Sequence, residues 1–94
     1  MELQRAFGQA LKGHRKAKGL SQESFTTISS RTYMSELERG LKNPTLAKID
    51  ELAQILGIHP LTLLVKCYSL KDDSGIEEIV TRITSELVVL NGNP

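Results

Sequence analysis

Hydrophobic positions recur at helical spacing along most of this 94-residue chain, and no stretch alternates with the period of a strand. Leu3, Phe7, Ala10, Leu11, His14 and Ala17 form one stripe, predicting a first helix over 2–18. Arg15, Lys16 and Lys18 sit in its last turn, where positive charge suits the negative end of the dipole, and Gly19 ends it. His14 reads as a partly buried helical histidine. Ser21 is a natural N-cap for a short second helix whose core face is Phe25 and Ile28, with Ser29-Ser30 as the following turn.

A third helix is expected from Arg31, capped by Ser30 and ended by Gly40. Met34 and Leu37 share its apolar side, while Arg31, Thr32, Ser35 and Glu36 are polar and lie elsewhere. These are short or donor-rich side chains of the kind that read base edges in a DNA major groove. Beyond Gly40, Asn43 can cap a fourth helix with Pro44 at its first position and Leu46, Ile49, Leu52, Ala53 and Leu56 inward, stopping at Gly57. His59-Pro60 starts a fifth, with Leu61, Leu64, Val65 and Tyr68 predicted inward and His59 a loop residue near the cap. Lys71 to Gly75 is a polar break. A last helix then follows, capped by Asp73 or Ser74, with Glu77 and Glu78 in its first turn. Its broad apolar face comprises Ile76, Ile79, Val80, Ile83, Leu87 and Leu90. The expected fold class is all-α.

Composition narrows the function. Hydrophobic residues make 39% and charged residues 24%, values of a globular chain rather than a disordered one. With 4% aromatics and no Trp, base-stacking platforms for single strands are not expected. The single cysteine, Cys67, rules out an intrachain disulfide, and with only His14 and His59 beside it no zinc site forms; its apolar neighbours predict a buried thiol. No signal peptide and no bilayer-length apolar run is visible, so a cytoplasmic, nucleoid-associated protein without cofactor is expected. The net charge of +1 hides an asymmetry: residues 1–48 carry nine Lys or Arg against four Asp or Glu, and residues 49–94 three against seven. The first half can therefore face phosphates while the second faces away.

Four stretches carry a resemblance: Arg15-Lys16-Ala17-Lys18-Gly19-Leu20-Ser21-Gln22-Glu23, Ser30-Arg31-Thr32-Tyr33-Met34-Ser35-Glu36-Leu37-Glu38-Arg39-Gly40, Asn43-Pro44-Thr45-Leu46, and Leu52-Ala53-Gln54-Ile55-Leu56-Gly57-Ile58. In order and at near-family spacing from about Phe7 to Leu64, they resemble the lambda-repressor-like helix-turn-helix family (Cro and XRE proteins and restriction–modification controllers). The resemblance implies a five-helix DNA-binding domain, here 1–70, with its third helix in the major groove. It implies base reading by Arg31, Thr32 and Glu36, with Ser35 on the same polar side. It implies phosphate contacts by Gln22, Arg39, Lys42 and Asn43, and a structural salt bridge between Arg15 and Glu38.

The chain departs from that family's pattern twice. Between Gln22 and Tyr33 it is about two residues short, and Ser29-Ser30 replace the customary glycine of the turn, so the second helix or the turn must be trimmed. Glu36 is unfavourable near phosphates unless it accepts a hydrogen bond from a cytosine amino group or orients Arg31 or Arg39. Residues 71–94 are the expected dimerisation segment, with Ile76, Ile79, Val80, Ile83 and Leu87 at the seam; folding back onto the domain's own core is the alternative use of that face. The overall expectation is a dimeric regulator of transcription on pseudo-palindromic double-stranded DNA, with RNA polymerase or a regulatory protein as a further partner. An antitoxin or adaptor that binds protein through its acidic second half is the alternative. An enzyme is not expected, because paired carboxylates, a nucleophile with a base, a phosphate-cradling glycine loop and metal-ligand spacing are all missing from the sequence.

Overall fold

Residues 1–91 are described by a computed structural model, in which every regular element is helical. The elements are α1 (Leu3–Ala17), a 3₁₀ turn (Gln22–Phe25), α2 (Arg31–Glu38), α3 (Leu46–Leu56), α4 (Pro60–Asp72) and α5 (Ile76–Asn91). Residues 92–94 of the expected C-terminal segment lie outside the described residues. The fold is all-α, as the periodicity predicts.

The core gathers one face from each of the first five elements. Phe7, Ala10 and Leu11 of α1 meet Phe25 of the 3₁₀ turn, Met34 and Leu37 of α2, Leu52 and Leu56 of α3, and Leu63 and Cys67 of α4. α1 packs most extensively on α4 and also carries α2, so the pair α1–α4 is the frame on which α2 is mounted.

Four local readings are corrected. The second helix is a single 3₁₀ turn. Phe25 anchors it with no exposure, and the Ser21 N–H donates to Ser24 Oγ at 3.2 Å. With four residues, this element is too short to propagate an α-helix.

α3 is capped by Thr45, whose hydroxyl accepts from the Lys48 N–H at 3.1 Å, so it starts at Leu46 rather than Pro44. Leu46 consequently points out, 79% exposed, instead of joining the core. In α4 the buried residues are Leu63 and Cys67; Leu61 and Tyr68 are exposed and Leu64 and Val65 half-buried. That helix has apolar residues on two sides, so periodicity alone cannot choose the side that meets the core. Lys71 and Asp72 extend α4. Asp73 is its left-handed C-cap, and it is the Gly75 N–H that donates to Glu78 Oε1 (3.2 Å) at the start of α5.

α5 lies against the outer side of α4. None of its residues is buried, and Ile79 alone of the helix is half-buried.

Candidate nucleic-acid interface

α2 is a helix of eight residues whose two ends are both specified by sequence. Ser30 Oγ accepts the Tyr33 N–H at 3.0 Å, satisfying one free donor of the first turn. At the other end Gly40, at φ 76°, makes the reversal: its N–H donates to the Leu37 carbonyl (3.1 Å) and that of Leu41 to the Glu36 carbonyl (2.9 Å). Met34 and Leu37 are fully buried and Tyr33 half-buried, so rotation about the helix axis is locked. At about 100° per residue this turns Thr32, Ser35, Glu36 and Arg39 outward, with Arg31 at the margin next to the 3₁₀ turn. Arg31, Thr32 and Arg39 are exposed; Ser35 and Glu36 are partly so. Lys42 and Asn43 are exposed on the loop that leaves Gly40.

Beneath this face lies a charge cluster that joins three elements. Arg15, at the end of α1, donates from Nε to Glu38 Oε2 (2.6 Å) and from Nη2 to Glu38 Oε1 (2.9 Å). Its Nη1 donates to the Leu20 carbonyl at 2.9 Å. Gln22 Nε2 donates to Glu38 Oε1 at 3.1 Å. The Arg15 and Glu38 side chains are 10% and 4% exposed, so the pair is desolvated and its geometry is bidentate. The hydrogen bond to Glu38 raises the Arg15 pKa further above its ordinary value, against the opposing effect of burial. Gln22 thus has one amide N–H tied inward; its second N–H is free to face outward.

Two supports of α2 carried no signal in the hydrophobic pattern. Gly8 of α1 is where α2 crosses: a Cβ there would stand 2.5 Å from the Leu37 carbonyl oxygen and 2.6 Å from that of Glu38. Lys48 of α3 donates from Nζ to the Ile28 carbonyl and pairs with Glu51 at 3.0 Å, bracing the turn where the customary glycine is missing. Both act across sequence distance, which a periodicity reading cannot see. Glu23 is a third unanticipated residue: its Oε1 accepts from Arg31 Nη1 at 3.1 Å. Glu36, considered from sequence as the group that orients Arg31 or Arg39, makes no side-chain hydrogen bond among the described residues. The carboxylate beside Arg31 is that of Glu23.

This arrangement is a helix-turn-helix: a short element, a turn, and a second helix with its core side clamped and its polar side open. The helix-turn-helix family matches residues 11–63, more than half of the chain, and the chain belongs to it. It is 39% identical over 66 residues, 68% of its length and 86% of the other protein's, to an uncharacterized HTH-type transcriptional regulator, y4dJ, of Sinorhizobium fredii. Among solved structures it is similar to the restriction–modification controller protein C.AhdI of Aeromonas hydrophila. That match has 43% identity and a TM-score of 0.60, covering 63% of this chain and 92% of that one. The clp gene regulator ClgR of Corynebacterium glutamicum shares the fold over 99% of this chain and 98% of its own, at a TM-score of 0.72 and 22% identity. The family is one of DNA-binding regulators and not of enzymes. No described helix is long and apolar enough to cross a membrane.

Proposed function

We propose that this protein is a sequence-specific regulator of transcription that binds double-stranded DNA as a symmetric dimer, with α2 in the major groove. The supporting observation is the mounting of α2. Met34 and Leu37 are fully buried, its C-terminus is clamped by Arg15–Glu38, and Arg31, Thr32 and Arg39 on its polar side are exposed. A face held this firmly and left open suits a ligand that must be met in one orientation. Arg31, Thr32, Ser35 and Glu36 read base edges. Gln22, Arg39, Lys42 and Asn43 flank them and hold phosphates. The regulator and controller names of the proteins at 39% and 43% identity support the transcriptional role.

One eight-residue helix reads few base pairs, so specificity calls for two copies on half-sites about 10 base pairs apart or a multiple of it. The exposed apolar surface that α5 forms together with α4 is suited to join them. Ile76, Val80, Ile83 and Leu87 are 38–51% exposed, on a helix whose main contact with its own domain is α4. Leu61 and Tyr68 of α4 extend the same apolar surface. An isologous contact through this surface leaves both α2 helices free. Polymerase or a second regulator is then met from the DNA-bound dimer.

Selection of bound duplexes from random DNA, followed by a salt titration of the winner, tests the whole reading. A two-fold-symmetric motif and a steep fall of affinity with salt are expected. Enrichment of no motif would refute sequence-specific binding.

A further inference from the structure

Glu23 is a carboxylate on the face proposed to meet DNA, where it repels phosphates and weakens binding to every sequence. Its ion pair with Arg31 gives little to folding in return. The two side chains are 65% and 70% exposed, and pairs in water contribute next to nothing. Its position is nevertheless fixed. On one side Gln22 is tied to Glu38, and on the other Phe25 is buried in the core. The trimmed turn therefore holds the Glu23 backbone steady and sets its carboxylate beside a guanidinium eight residues further on.

We propose that Glu23 is a specificity-determining positioning residue: it orients the Arg31 guanidinium so that Arg31 reads guanine. This rests on the placement of α2 in the major groove. A guanidinium has five N–H groups in a planar fork, and reading guanine O6 and N7 takes two of them in the base plane. Alone, Arg31 is a long side chain at the edge of its helix, free to swing to the nearest phosphate, and so bind without reading. Glu23 occupies a hydrogen of Nη1 at 3.1 Å and leaves the rest of the fork open. It also makes the phosphate alternative less favourable, because a guanidinium already paired with a carboxylate gains less from a second anion. Inside the groove, where water is displaced, the pair strengthens relative to its value in solution. Glu23 thus sacrifices general affinity and gains discrimination at one base pair per half-site.

The test uses the full chain, the duplex selected above, its single-base variants and a random duplex. Glu23→Gln should leave the melting temperature unchanged and tighten binding to random DNA. It should also lower preference at the base pair read by Arg31 by about three- to tenfold, with other positions unaffected. Arg31→Ala should abolish preference at that same base pair, and adding Glu23→Gln to it should cause no further loss of preference there. Three results would overturn the proposal: undiminished preference in Glu23→Gln, a loss spread evenly over the site, or tighter specific binding with sharper preference, the mark of a carboxylate that merely sequesters Arg31. Failure of the groove placement itself reads differently, because Arg31→Ala would then leave preference intact at every position.

Discussion

Arg15 and Glu38, 23 residues apart, meet through two hydrogen bonds of 2.6 and 2.9 Å and tie the end of α1 to the end of α2. Glu38 stands at the C-terminus of its helix, where the dipole disfavours a negative charge, and Arg15 stands where the dipole favours a positive one. The carboxylate is therefore held in place by its partner and not by its own helix. Removing either member strands the other, desolvated, beneath the polar face.

Glu38→Ala should accordingly destabilise the fold by about 2–4 kcal/mol in urea denaturation, more than its lost contacts alone suggest. The double replacement Arg15→Met/Glu38→Leu should recover much of that loss, because no buried charge is left over. A double variant less stable than Glu38→Ala would show that the pair contributes net attraction rather than avoiding a penalty.

Gly8 and Gly13, both in α1, should respond in opposite directions to alanine. At Gly8 the new methyl collides with the Leu37 and Glu38 carbonyls, so α2 must move or the helices separate; about 1–3 kcal/mol is lost and DNA affinity falls with it. At Gly13 nothing lies within 4 Å, and the gain in helix propensity should stabilise by up to about 1 kcal/mol. Thermal melts and operator titrations of the two variants check the contrast.

Arg31→Ala should weaken specific binding by about 1–3 kcal/mol and relax base preference, whereas Gln22→Ala should lower affinity similarly on all sequences. Titrations on selected and random duplexes separate the two. A loss for Gln22→Ala confined to the selected site would contradict a phosphate role.

Ile83→Glu, at the exposed apolar groove between α4 and α5, should convert dimer to monomer in sedimentation equilibrium while leaving helical content unchanged, since the residue lies outside the buried core. Operator affinity would fall by far more than binding to a single half-site. A dimer that survives this charge at micromolar concentration would place the two-fold elsewhere.

Burial pushes the Cys67 thiol above its ordinary pKa, only partly offset by Lys71 nearby. The native thiol, 1% exposed, should therefore resist alkylation at pH 8.5 and react at a rate set by opening of the domain. Because the folded state holds this proton more tightly, its contribution to stability is complete below the unfolded thiol pKa and is lost as pH rises through the raised one. Native labelling as fast as that of a free thiol would show that α4 does not stay seated on α1.

Local chemistry determined most of what could be read from the chain alone. Periodicity located every helix, Ser30 and Gly40 bounded α2, and the ordered motif from Arg15 to Ile58 pointed to the family, because each of these signals is carried by residues near one another in sequence. Tertiary contacts decided the rest. Which apolar side of α4 faces the core depends on α1, and the side predicted inward, with Leu61 and Tyr68, instead adjoins α5. The expected second helix is a 3₁₀ turn of four residues whose last, Phe25, is packed into a core supplied by the other helices. That turn put Glu23, which no local pattern singled out, beside Arg31. Close approach at Gly8 and the brace from Lys48 likewise follow from how helices cross, information that a linear pattern of polar and apolar residues does not contain.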